Sequence, residues 1–343
     1  MKRFITVLMF VSICAVGLSA QETDEISVGS FSDAFSGFSE AAAQSLSFNS
    51  NIGLSWSDAY IGNLFAIPPH FGVGAAAGFT MVPAEGITAL FDTMGLTLPA
   101  AVGDLVDKFA GVLIPAAMVE GRIGGIGLPF DLGLKVGMLP AGTEVLDLRV
   151  EYLNVGADVR FALVKENLIL PDVSIGAGYN YLSGYVSVAN PLGSFSMDIP
   201  VGNETRTLSF ETGDVGFGWN SHVIDLKAQV SKSLLIFTPY LGAGVSYARS
   251  QAGGGFDAAV KVDGEAISDA DVEELKTALK QQGIDVPELT ADGLHAFFPA
   301  GGWGARVFGG VSLNIFVIKL DVTGQYNLTD GSVGGSIGLR LQL

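Results

Sequence analysis

The chain has 343 residues, 49% hydrophobic and only 15% charged, with 46 glycines and a formal net charge of -17. That acidity, without a basic cluster, argues against nucleic acid or anionic lipid as partners, because phosphates are met by grouped lysines and arginines. A soluble α/β protein this apolar would carry long buried helices or continuous apolar strands, and the one continuous apolar run here is N-terminal.

Met1-Lys2-Arg3 is a short basic region, Phe4 to Leu18 is apolar, and Leu18-Ser19-Ala20 precedes Gln21. This predicts a signal peptide over residues 1–20, cut after Ala20; its core is too short for a spanning helix of about 20 residues. Cys14 lies inside it, and Val11-Ser12-Ile13-Cys14 is a poor lipidation motif. The mature chain then has no cysteine, so thiol chemistry and disulfides are excluded. Residues 21–44 are less regular. Phe31, Phe35 and Phe38 recur at intervals of four and three, which suits a short helix that plugs a lumen or caps its end.

From residue 45 to 343 the dominant pattern is alternation, one apolar face and one polar face, as in strands whose side chains point to opposite sides. It recurs over 45–57, 71–82, 117–126, 130–138, 146–163, 173–181, 215–230, 237–247, 303–313, 316–326 and 333–343. The last segment sets Val333, Ile337, Leu339, Leu341 and Leu343 against Ser336, Gly338, Arg340 and Gln342. The phase slips near Leu153-Asn154, where a β-bulge is expected, and again after Trp219. Strands of about 9–11 residues span a bilayer. The series therefore predicts an all-β fold: a transmembrane antiparallel up-and-down barrel of 10–12 strands, with 12 favoured because bacterial barrels usually close with an even number. Trp56, Tyr152, Tyr179, Tyr181, Trp219, Tyr247, Trp303 and Tyr326 sit near segment ends and are expected in interfacial girdles.

With the C-terminus in the periplasm, 328–332 is an external link, 313–315 and 232–233 are periplasmic turns, and 83–114, 189–213 and 249–301 are long external loops. Two short helices are expected at 85–94 and 99–109. A hairpin is expected within 192–212, turning at Gly202-Asn203. A helix should begin at the capping box Ser268-Asp269-Ala270-Asp271. Loop 249–301 holds ten acidic against four basic residues.

No residue set suggests catalysis, a metal or a cofactor. His70, His222 and His295 lie far apart, and neither a nucleophile elbow nor a phosphate-binding loop occurs; the chain is not expected to be an enzyme. The constellation that matters is the polar strand face: Glu120, Arg122, Asp131, Lys135, Asp147, Arg149, Glu151, Asp158, Arg160, Asp225, Lys227, Arg306, Lys319, Asp321 and Arg340. These interleaved charges line the expected lumen. Either they pair into a network that fills it, or they form a polar path that conducts solutes.

The signal region, the glycine-rich alternating strands and the amphipathic final strand resemble bacterial outer-membrane β-barrel proteins. Segments such as PHFGVGAAAGFT and LPFDLGLKVGMLP resemble glycine-rich barrels of spirochaete type. The resemblance covers about 45–343 and implies an outer-membrane location, surrounding lipid and the barrel assembly machinery as partners, and a porin-like channel for a small solute or a lipid-like ligand. The alternative is a surface structural or adhesion protein. The chain ends in Leu343, where many such barrels end in phenylalanine. Fatty-acid-transporter barrels, which share an N-terminal plug, offer a second likeness through residues 21–44 and 83–114.

Overall fold

The structure is a computed structural model, and it describes residues 45, 48–62, 65–67, 69–83, 111–125, 127–145, 148–188, 195–201, 204–210, 214–257, 260–268, 270–273, 277, 289–290 and 293–343. The signal region, the segment 21–44, the helices expected at 85–94 and 99–109, and Asp147 lie outside the described residues.

Ten strands close a barrel: β1 (Phe71–Pro83), β2 (Gly111–Gly124), β3 (Phe130–Val145), β4 (Leu148–Val164), β5 (Asp172–Val188), β8 (Asp214–Ser231), β9 (Phe237–Asp257), β13 (Gly293–Ile315), β14 (Ile318–Asn327) and β15 (Val333–Gln342). Each pairs antiparallel with its neighbours, and β15 closes the wall on β1 from Gly72↔Gln342 to Met81↔Val333. The ring closes, as strands that cross lipid require, although the β2–β3 seam is short and pairs only from Val119↔Val136 to Gly124↔Asp131. A short β12 (Leu289–Thr290) adds to β13 outside the ring. The eleven alternating segments thus contain ten wall strands, and 12 is too many.

The alternation has its expected cause. Along β14, Leu320, Val322 and Tyr326 are exposed while Asp321, Thr323, Gln325 and Asn327 are buried. The exposed row faces lipid and the buried row faces the lumen. Tyr179, Tyr247, Trp303 and Tyr326 face outward, with Tyr247 against Trp303 and Tyr181 against His222. Trp56, Tyr152 and Trp219 do not join them, since all three are buried inside the barrel.

The two expected slips are not bulges in β4 or β8 at those points. The β5–β8 register runs unbroken from Asp172↔Ser231 to Val188↔Val215, and even-numbered residues of β4 point inward from Val150 to Ala162. What changes is polarity. Toward the long-loop end Arg149 and Glu151 are exposed, whereas Val150, Tyr152, Trp219 and Val223 pack inside. Register shifts occur instead between Leu139 and Thr143 of β3 against β4, and between Ala162 and Val164 of β4 against β5.

The two ends differ. One has the links 125–129, 165–171, 232–236 and 316–317; the other has the three long connections, beside the short links 146–147 and 328–332. Much of 249–301 is wall rather than loop, because β9 and β13 stay paired up to Asp257↔Gly293. β6 (Phe195–Val201) and β7 (Glu204–Phe210) pair as a hairpin up to Val201↔Glu204. It pairs through β7 with β10 (Val260–Val262), followed by β11 (Glu265–Ala266), so two long connections join in one four-stranded sheet. Beyond it a helix starts at the expected capping box: Asp271 accepts from the Ser268 amide and hydroxyl, and these bonds hold its carboxyl below the usual aspartate range.

Candidate functional site

The site is the lumen, and its most informative occupant is the segment expected to be the first strand. The described residues of 45–57 form no strand. After a helical turn at Phe48-Asn49, Gly53 (φ 84°) and Leu54 (φ 56°) adopt left-handed backbone, which breaks extended geometry. Ser45 binds Asp330 and Ser332 at the long-loop end. From there the chain descends through the barrel, and His70 binds Gly124 at the short-turn end just before β1. Phe48, Ile52, Leu54, Trp56, Ala59 and Ile61 are all buried. The segment is a plug. Sequence reasoning missed it because an apolar–polar rhythm is shared by a strand facing lipid and by a chain enclosed in a mixed lumen.

A buried backbone that joins no sheet must find other partners, and the wall supplies them. Glu120 accepts from the Leu54 amide at 2.5 Å and from Trp56 Nε1 at 2.7 Å. Lys135 donates to the carbonyls of Ser50 and Ile52. Gln229 donates to the carbonyls of Trp56 and Ser57 at 2.7 and 3.1 Å. Ser231 accepts from the Ala59 amide and Asp131 from the Ile61 amide, each at 3.0 Å. Arg160 donates to the Asp58 carbonyl at 2.6 Å. The plug therefore replaces a neighbouring strand with side chains from β2, β3, β4 and β8.

The remaining charges pair around it. Asp131 holds Arg122 at 2.5 Å and Arg160 at 2.7 Å, and Asp158 holds Arg122 at 2.7 Å and Lys227 at 2.6 Å. Arg306 meets Asp225 at 2.7 Å. Asp58 of the plug accepts from Lys319 at 2.8 Å and Arg340 at 2.9 Å, and Arg340 also binds Asp321 at 2.6 Å. The Trp56 ring lies between two cations, with Arg340 at 4.5 Å and Arg122 at 5.7 Å from its centroid. Gly72 makes room for that ring, since a Cβ there would come within 2.8 Å of it.

Twelve of the fifteen charges read from the sequence meet in this network: Glu120, Arg122, Asp131, Lys135, Asp158, Arg160, Asp225, Lys227, Arg306, Lys319, Asp321 and Arg340. Arg149 and Glu151 do not; they are exposed on the outer face of β4 toward its long-loop end. Asp58, Asn49 and Gln229, which hold the plug, were not singled out, because a lone polar residue carries no sign of its partner hundreds of residues away.

Toward the long loops the lumen turns apolar. Ala76, Ala116, Met118, Tyr152, Leu182, Trp219 and Ala252 cluster around Ile52 of the plug, with Ile114, Leu139, Val186 and Phe217 packed against them. Asn49 is held beside this cluster: it donates to Thr80 at 3.0 Å and accepts from Tyr152 at 3.1 Å.

No family model matches the chain, and no curated protein matches it. Among solved structures, the translocator domain of autotransporter NalP from Neisseria meningitidis matches with 8% identity, 80% of this chain and 88% of that one covered, and a TM-score of 0.32. LpxR from Salmonella typhimurium matches with 8% identity, 77% and 99% coverage, and a TM-score of 0.24. A TodX monoaromatic hydrocarbon channel variant matches with 7% identity, 80% and 89% coverage, and a TM-score of 0.24. Structural neighbours of this chain are thus outer-membrane barrels, and at such distances they say nothing about the use of its lumen.

Proposed function

We propose that the protein is a bacterial outer-membrane barrel, exported by its N-terminal signal and inserted by the barrel assembly machinery, that is closed at rest by its own plug. Small or lipid-like solutes pass only when residues 48–61 move. The short-turn end faces the periplasm and the four-stranded sheet faces outward, the usual orientation of such barrels. The observation that carries this reading is the plug itself, buried along its length and held by wall side chains through its backbone.

The wall favours a displaceable plug over a fixed filling. Its described lumen charges in the network number seven cations and five carboxylates, and Lys135 donates to plug carbonyls. Carbonyl oxygens and Asp58 compensate that excess. With the plug displaced, the exposed cationic surplus would favour anions.

Purified protein in planar bilayers tests this. Wild-type protein is expected to be nearly silent, and a variant lacking 46–61 to conduct with a reversal potential favouring anions. Asn49→Cys with Thr80→Cys places a disulfide across the plug–wall hydrogen bond; oxidation should stop solute entry into liposomes and reduction restore it. Steady large conductance in the wild type, or flux indifferent to the cross-link, overturns the reading. Silence of every folded variant would leave the surface-interaction reading, which the joined external sheet favours.

A further inference from the structure

The short turns are apolar where a turn standing in water would be polar. Leu168 is 97% exposed, Leu235 fully exposed and Phe316 98% exposed, and Leu128, Ile169 and Leu234 are exposed beside them. These tips belong to four different turns, and Ile67, fully exposed, adds a fifth point before β1. They are distributed around the ring rather than gathered on one side.

Two of them occupy costly backbone. Leu235 has φ 54° and Phe316 φ 55°, a region that disfavours bulky L-residues and in which glycine or asparagine is the ordinary choice. A large apolar side chain retained there implies a surrounding that rewards it.

The polar groups of the same turns largely bond within the turns, although Lys165 and Asn167 stay exposed. Lys232 Nζ donates to the carbonyls of Asn167 and Leu170, and the Asn167 side chain accepts from the amides of Ile169 and Leu170. Glu166 accepts from the Ser233 amide, and Leu234 and Phe237 exchange both backbone bonds. The carbonyls of Ile236 and Val317 accept from the Asn314 and Gln342 amides. Turns in water need no such closure; turns in lipid do.

The outer wall runs into these tips without a polar break, through Ile123, Phe161, Leu163, Phe237, Ile315, Ile318 and Leu341, all exposed. Outward Tyr179, Tyr247, Trp303 and Tyr326, with polar atoms suited to headgroups, lie toward the other end; among the described residues the outward aromatics at the short turns are phenylalanines.

We propose that the short-turn end is seated inside the lipid leaflet it faces, its turn tips among acyl chains at the headgroup boundary, rather than projecting into the periplasm. The proposal rests on the membrane reading above. A protein partner would be expected to use one contiguous patch, whereas lipid surrounds a barrel on every side and so fits a ring of separate tips.

The mature chain, free of cysteine, allows single labels. Leu235→Cys and Ile169→Cys report the tips, Leu339→Cys the mid-wall and Glu265→Cys the external sheet, each carrying a bimane fluorophore on the full mature protein in phosphatidylcholine liposomes. Doxyl-labelled phosphatidylcholine should quench the tips comparably to Leu339→Cys, and iodide should quench them about fivefold less than Glu265→Cys, as for groups below the headgroups. Tips quenched by iodide like Glu265→Cys, with Leu339→Cys still quenched by doxyl lipid, would overturn this inference and spare the membrane reading. Tips dark to both quenchers would mean that protein covers them, and also overturn it. A mid-wall label unquenched by doxyl lipid would sink the membrane reading itself.

Discussion

The two halves of the lumen hold the same plug in opposite ways. Near the short turns the wall grips backbone and carboxylate through directional bonds, most of them charged: Glu120 to Leu54 and Trp56, Gln229 to Trp56 and Ser57, Arg340 to Asp58. Near the long loops it meets Ile52 with Met118, Tyr152, Leu182, Trp219 and small alanines. Charged groups out of water are costly unless paired, so the lower half accepts one register of the plug and penalises others. Apolar contact has little direction, so the upper half contributes cohesion without fixing position. A barrel divided in this way is locked at its base and adaptable toward its mouth.

The sharpest way to break the lower half is Arg122→Leu. It leaves Asp131 and Asp158 each short of one partner, and losing one member of a buried pair costs about 3–5 kcal/mol; urea unfolding in detergent, followed by tryptophan fluorescence, measures it. Trp56→Ala removes the ring between Arg122 and Arg340 together with its bond to Glu120, and is expected to cost about 3 kcal/mol, with faster labelling of a cysteine placed at Ser57. In the upper half, Tyr152→Phe keeps the packing and loses only the hydroxyl shared by Asn49 and Asn154; the expected loss is about 1 kcal/mol in the same unfolding assay. The smallest effect is expected outside the lumen, where Glu151→Ala should stay within about 0.5 kcal/mol. A loss as large as that of Arg122→Leu would return Glu151 to the interior and undo the division.

Ten wall strands could be read from the chain because lipid enforces a period of two on every outward residue, a local constraint that needs no knowledge of partners. The β6–β7 hairpin and the capping box at Ser268 were legible for the same reason, since turn and cap chemistry lies within a few residues. The plug was not. Leu54 and Trp56 keep the rhythm of a strand, and only Gly53 hinted that the chain bends. The inversion at Arg149-Val150-Glu151-Tyr152 was visible but read as a slip, because one polarity was assumed for the whole lumen. Toward the long-loop end the outer face of β4 is polar there and the packed interior is the apolar side.

The sequence by itself determined the alternation of the wall strands over most of their length, how many ribbons build the wall within narrow bounds, and that both signs of charge are held inside. Those features follow from a dielectric boundary that each strand meets alone. Only the tertiary structure decided that the first alternating segment is enclosed rather than part of the wall, and which charge meets which. Asp58 and Arg340 lie 282 positions apart, and Ser45 and Ser332 lie 287 apart. Such pairings are set by closure of the ring, which brings both ends of the chain to one place, and no local pattern of residues records them.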